Sequence, residues 1–264
     1  MKRFSILLLA AVALAMAAPT PAQEGQDNAG NAAYASSWAN GSNGGTGFNA
    51  WNNSISGGNG SFDAPDATAV GGSAALNTGG RCFRARSIAT NTSSDAASGV
   101  RTVTAAGSTS DVLRFDFQSQ LSGTDTAAIA RFADALGNVI LRFKADVASP
   151  DYLAEINAST LNTGIPRTAP VRVFVKLRPD LGPDKFDLAL RRLDAPFTTV
   201  NLPNLTAIGG TYAEIFELSF AATTQAGFSA FGDLAQVLVN NLIYDETGDA
   251  GVQVPVAVSA VLID

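Results

Sequence analysis

Residues 171–178 read Val171-Arg172-Val173-Phe174-Val175-Lys176-Leu177-Arg178, with Val171, Val173, Val175 and Leu177 alternating against Arg172, Phe174, Lys176 and Arg178. A strand sends successive side chains to opposite faces, so this run predicts a strand with one buried face and one wetter face. Pro179-Asp180-Leu181-Gly182-Pro183-Asp184 follows as a turn and leads into Lys185–Leu193. There Phe186, Leu188 and Leu190 alternate with Asp187, Ala189 and Arg191, completing a hairpin. Upstream, Leu113, Phe115 and Phe117 alternate with Arg114, Asp116 and Gln118. Ala128–Asp134 passes through Ala135-Leu136-Gly137-Asn138 into Val139–Lys144, with Gly-Asn supplying the turn. Further strands are expected at Tyr152–Ile156, Tyr212–Ala221, Phe228–Phe231, Gln236–Tyr244 and Val252–Ile263. Asp27–Phe62 and Ala64–Gly99, rich in small and polar residues, read as short strands joined by long loops. Long amphipathic helical periodicity is missing. The fold class is therefore all-β, a two-sheet antiparallel β-sandwich.

The N-terminus has a different character. Met1-Lys2-Arg3 precedes an apolar run from Phe4 to about Ala18, then Pro19-Thr20-Pro21-Ala22. A basic start, a short apolar core and small residues beyond it are the layout of a cleaved secretory signal peptide. The run is too short for a spanning helix of ~20 apolar residues. Cleavage after Ala22 is preferred to cleavage after Ala17, which would leave Pro19 just past the bond. The expected organisation is thus a signal peptide over residues 1–22 and one β-sandwich domain over residues 23–264. The protein is expected to be secreted, whether to a periplasm, the cell surface or the medium, with no membrane insertion after cleavage.

Removing Lys2 and Arg3 leaves 15 basic against 23 acidic residues and a net charge of −8. Such a chain is a poor partner for nucleic acid or anionic lipid. Arg81, Arg84 and Arg86 form a small basic cluster that reads as a solvated strand face. Cys82 is the single cysteine, so no intramolecular disulfide can form. Histidine is absent, which removes Ser-His-Asp and Cys-His catalysis and nearly all zinc and copper sites.

One stretch is distinctive: Asp27-Asn28-Ala29, Ala33-Tyr34, Trp38-Ala39-Asn40-Gly41-Ser42-Asn43-Gly44-Gly45-Thr46-Gly47-Phe48 and Trp51. It resembles the N-terminal motif of a group of secreted, largely uncharacterised bacterial proteins that recurs in surface and PEP-CTERM-type exported proteins. Leu113–Gln118, Asn162-Thr163-Gly164-Ile165-Pro166 and Val239-Asn240-Asn241-Leu242-Ile243-Tyr244 also look like that group. The resemblance implies a jelly-roll sandwich of the concanavalin A-like and laminin-G-like kind, and no agreed activity. The Pro-Glu-Pro sorting signal, terminal helix and basic tail of sorted members are missing here, so anchoring by that route is not expected.

The motif holds both tryptophans. An exposed indole can stack on a sugar ring and neighbouring amides can bond its hydroxyls, so Trp38, Asn40, Asn43, Phe48, Asn49 and Trp51 are the candidate glycan-binding residues. The competing reading makes Trp38 and Trp51 buried anchors. Acidic turns at Asp63–Asp66, Asp180–Asp184 and Asp245–Asp249 raise structural calcium as a candidate ion, with Asp245, Asp249 and Asp27 as its ligands. None matches the spacing of a calcium loop, and turn chemistry explains aspartates in such places equally well. No other cofactor is expected. A glucanase would need paired carboxylates, and Glu214 and Glu217, three apart on a strand, face opposite ways. The first expectation for function is a secreted, non-catalytic, carbohydrate-binding β-sandwich of the cell surface or matrix. Second is a structural protein that self-associates through Val252–Ile263, and third a polysaccharide-active enzyme.

Overall fold

The computed structural model describes residues 24–245 apart from 58, 90–93, 105–111, 158, 213 and 225–231. The signal segment, the strands expected at Phe228–Phe231 and Val252–Ile263, and Asp249 lie outside the described residues. Fifteen strands form among those described: β1 Glu24–Asp27, β2 Asn52–Ser56, β3 Gly60–Asp63, β4 Phe83–Ile88, β5 Asp95–Thr102, β6 Val112–Leu121, β7 Thr126–Ala133 and β8 Val139–Asp146, followed by β9 Asp151–Ile156, β10 Ser159–Pro166, β11 Val171–Leu177, β12 Lys185–Arg192, β13 Thr199–Thr206, β14 Glu217–Thr224 and β15 Leu234–Asp245.

They make two antiparallel sheets stacked as a jelly-roll sandwich. The first sheet runs β13-β12-β11-β6-β15-β4-β3, with β1 also on β15, and the second runs β10-β9-β8-β7-β14-β5-β2. β15 is the pivot of the first sheet. One edge pairs with β6 throughout, while the other takes β4 along Leu234–Val239 and β1 along Leu242–Asp245. A register shift between Asn240 and Ile243, with Asn241 at φ 52°, marks the changeover between those partners.

Period-2 alternation gives the core its membership. Leu113, Phe115, Phe117, Val171, Val173, Val175, Leu177, Phe186, Leu188 and Leu190 from the first sheet meet Ala128, Ala130, Phe132, Phe143, Tyr152, Leu218 and Phe220 from the second. Burying each large apolar side chain contributes about 1.5–3 kcal/mol. The 135–138 turn is held by Asp134, whose carboxylate accepts from the backbone N–H groups of Leu136 and Asn138, while Gly137 takes φ 84°.

One expected strand is shifted. The one expected over Tyr212–Ala221 begins only at Glu217, so Glu214 is outside it, and Glu217 pairs with Arg131. Strands at Ser159–Pro166 and Thr199–Thr206 were not expected at all. Both are sheet edges with mixed, largely exposed residues, so one face carries too little apolar periodicity to show.

The two sheets differ on their outer sides. Asp66–Cys82 passes over the first sheet as a roof, pinned by amide side chains. Gln118 accepts from the Ser73 N–H at 2.8 Å, Gln236 donates to the Val70 carbonyl at 3.3 Å, and Asn240 donates to the carbonyls of Leu76 at 2.6 Å and Arg81 at 2.8 Å. Ala67, Leu76, Cys82 and Leu238 form a small second core beneath it. Burial there pushes the Cys82 thiol up to about 12. A thiol reagent at pH 8 is therefore expected to label native protein no faster than the protein unfolds, and to label it at once in denaturant. Stoichiometric labelling within minutes under native conditions would mean that the roof lifts.

Candidate functional site

The opening motif folds into a plug between the sheets. β1 delivers Asp27 to the interior, because Asp27 lies opposite inward-facing Leu242. β5 delivers Arg101 on the inward parity it shares with Ala97 and Gly99. Both side chains are fully buried and form an ion pair. The Asp27 carboxylate also accepts from the Tyr34 hydroxyl at 2.7 Å, the Trp51 indole N–H at 3.3 Å and the Asn28 backbone N–H at 2.9 Å. The Arg101 guanidinium lies between two aromatic faces, 5.0 Å from the Phe48 centroid and 5.1 Å from that of Trp51, and donates to the Asn43 side chain. Burial pushes the Asp27 carboxyl above its ordinary value, against the pull of Arg101 and the donors. Burial and then the Asp27 charge push the Tyr34 hydroxyl up as well.

The motif glycines serve this packing. A Cβ on Gly45 would lie 2.5 Å from the Gln26 carbonyl oxygen, and one on Gly44 would lie 2.6 Å from the Tyr34 ring. Side chains at either position would push the loop off β1 and break the ring of contacts around Asp27.

The indoles are therefore not where sugar stacking would need them. Trp38 is 0 % exposed, Trp51 1 % and Phe48 2 %. Trp38 packs edge-on against Trp51 at 4.8 Å and Phe62 at 5.3 Å, and both tryptophans contact Phe83. The aromatic part of the glycan expectation gives way to the buried-anchor reading, since sequence spacing marked the cluster but not its direction. Asn40, Asn43 and Asn49 remain at the surface, yet their side chains are used inside the motif. Asn40 accepts from the Asn53 N–H, Asn43 donates to the Phe48 carbonyl, and Asn49 donates to the Thr102 hydroxyl.

The expected ion ligands are also separated. Asp27 faces the core, whereas Asp245, three positions along the same pairing, points to the outer side of the sheet. The two cannot share an ion, and Asp249 is outside the described residues. At the other acidic turns the oxygens are occupied: Asp63 pairs with Arg84, Asp66 accepts from Thr68 and Asn77, and Asp180 pairs with Arg178. Among the described residues no group of three or more His, Cys, Asp or Glu could hold a metal ion.

Among the described residues, the outer face of the second sheet offers a long surface to a ligand. Its middle strands β5, β14 and β7 turn Ala96, Ser98, Val100, Ser219, Ala221, Thr223, Ala127 and Ile129 outward, all half-buried. The register lines them up in rows: Ser54, Ser98, Ala221, Ile129 and Lys144 form one, and Asn52, Val100, Ser219, Arg131 and Arg142 the next. The floor side chains are no longer than isoleucine up to one end, where the Arg131–Glu217 pair stands across β7 and β14. One flank carries Asn52, Ser54 and Ser56, and the other carries the Lys144–Glu155 pair at 2.7 Å. Three strands about 4.8 Å apart make a floor roughly 10 Å across, and six residues along β5 make it roughly 20 Å long. The alternation behind this face was visible in β7, but its shape depends on the β14–β5 pairing, which joins distant segments.

No family model matches the chain. No curated relative matches it either. Solved structures similar to it include lectin UEA-II complexed with galactose, at 12% identity over 72% of this chain and 92% of that one with a TM-score of 0.43. Another is the alginate lyase from Klebsiella pneumoniae, at 11% identity over 64% of this chain and 82% of that one with a TM-score of 0.42. A third is peanut lectin with a 9mer peptide, at 11% identity over 74% of this chain and 97% of that one with a TM-score of 0.41. Likeness this distant says nothing of what this chain binds.

Proposed function

We propose that the protein is an exported, non-catalytic β-sandwich of the cell surface or matrix that binds carbohydrate along the outer face of the second sheet. The observation that carries this reading is the floor of small side chains over β5, β14 and β7, with Asn52, Ser54 and Ser56 along one flank, the Lys144–Glu155 pair along the other and the Arg131–Glu217 pair across one end. A glycan is rich in hydroxyls that both donate and accept. Ser and Thr hydroxyls, Asn amides and half-exposed Arg and carboxylate groups match it in kind. The low floor lets an extended chain lie close to the backbone with little side-chain ordering, which keeps the entropic cost of binding small.

Residues 23–264 are expected to bind one glycan class saturably in a polysaccharide and glycan-array screen run with and without calcium. Ala221→Trp, which fills the centre of the floor, is expected to weaken that binding at least tenfold. As an outward substitution it should change stability by only about 0.5 kcal/mol. Unchanged affinity in Ala221→Trp would move the site elsewhere, and silence across the screen would favour the self-associating structural reading instead.

A further inference from the structure

On the unroofed part of the first sheet, two rows of outward side chains cross from β6 to β13. One row is Asp116, Arg172, Arg191 and Thr199, and the other is Arg114, Phe174, Ala189 and Asn201. Directly opposed side chains start about 5 Å apart and diagonal ones roughly 7–8 Å apart. Arg172 thus faces Arg191 across the strand pair and lies diagonal to Arg114, so three guanidinium groups share one small area.

Their single acidic neighbour in these rows is already engaged. Asp116 accepts from Arg172 Nε at 2.7 Å and Nη2 at 3.0 Å, and from Asn241 Nδ2 at 2.7 Å. Arg114 has no hydrogen bond at its buried Nε, although the Asp116 charge reaches it and outward Asp245 lies diagonal to it on β15. Burial and the nearby Arg172 charge hold its guanidinium below the ordinary value. In the same row the side-chain oxygen of Asn201 is also buried without a partner. Arg191 is exposed. A guanidinium with a buried, unbonded Nε beside a like charge is costly to keep, and a bound oxyanion offsets that cost.

We propose that Arg114, Arg172 and Arg191 form an oxyanion site that takes the carboxylate of a uronic acid unit in an acidic glycan. The polymer class rests on the carbohydrate reading above, but the surface is a different one. With Phe174 and Ala189 buried between the arginines, the rows offer a ligand only a shallow surface that does not enclose a small ion, whereas a glycan carboxylate arrives with neighbouring hydroxyls that can meet Thr199. The net charge of −8 after removal of Lys2 and Arg3 opposes acidic ligands at long range. Screening over about 8 Å at physiological salt leaves the short-range contact intact.

The test is calorimetric titration of residues 23–264 in 0.15 M salt with oligogalacturonate, with a neutral galactose oligomer, and with inorganic sulfate. Oligogalacturonate is expected to bind at least tenfold more tightly than the neutral oligomer. Arg114→Gln is expected to lose at least tenfold in that affinity while melting at the same or a higher temperature without ligand, because it removes a half-buried charge that lies beside Arg172. Arg86→Gln, an outward arginine on β4, should change affinity less than twofold. Equal affinity for the neutral oligomer, or full affinity in Arg114→Gln, overturns the site. Binding of sulfate alone overturns the uronate assignment, and loss of oligogalacturonate binding in Ala221→Trp transfers it to the second sheet.

Discussion

Asp27→Ala is expected to destabilise the protein by about 3–5 kcal/mol, because it leaves the Arg101 guanidinium buried with no counter-charge. Both partners are fully buried, so water cannot replace the carboxylate without opening the plug. For a chain of this size the loss corresponds to a fall in midpoint of roughly 6–20 °C. The Tyr34 hydroxyl and the Trp51 indole N–H lose their acceptor in the same step. The double variant Asp27→Leu with Arg101→Met should recover most of the loss, since a buried ion pair is often no more stabilising than apolar side chains of similar volume. Urea unfolding of the parent protein, Asp27→Ala, Asp27→Leu, Arg101→Met and the double variant measures this. A single variant costing under about 1 kcal/mol would show that the pair is hydrated. A stable Asp27→Ala protein that lost calcium affinity would return Asp27 to the role of ion ligand.

Trp38→Ala should cost a similar amount, about 3–5 kcal/mol, through the cavity it leaves between Trp51, Phe62 and Phe83. A Cβ on Gly99 would lie 2.6 Å from the Trp38 ring, so the indole and that glycine fit one another. Gly99→Ala is therefore expected to damage the native protein and to do little further harm once Trp38 is shortened, a coupling that a double-mutant cycle reads directly. Any glycan affinity should fall in Trp38→Ala only as far as the unfolded fraction rises. A Trp38→Ala protein with native stability and no affinity would restore the stacking role of the indole.

These two variants mark where the sequence can be read and where it cannot. Strands such as Val171–Leu177 and Lys185–Arg192 were legible because one face is apolar at period 2 and the other is not. The edge strands Ser159–Pro166 and Thr199–Thr206 were not, because their exposure is mixed on both faces. In the opening motif the residue types were recognisable, but whether an indole points in or out depends on Arg101, some fifty residues further along. Its one local signal was parity: Arg101 shares a face with Ala97 and Gly99 in a strand whose other face is half-exposed. An arginine on the small, inward side of a strand predicts a buried acid elsewhere, and Asp27 is that acid. Outward arginines gave no such signal, because Arg114 looks like Arg84 until the sheet shows which of them has an acid opposite.

The pairing of β15 bears on how this protein comes into being. Its partners are β1, β4 and β6, so the strand in the middle of the first sheet is synthesised after everything it joins. Until it arrives, β6 and β4 have no common neighbour and Asp27 has no strand to hold it in place. Contacts so distant along the chain close slowly. On the export proposed above, a chain threaded through a narrow translocation pore would gain from that delay, since the ribosome withholds the one segment that would lock it into a shape too wide to pass.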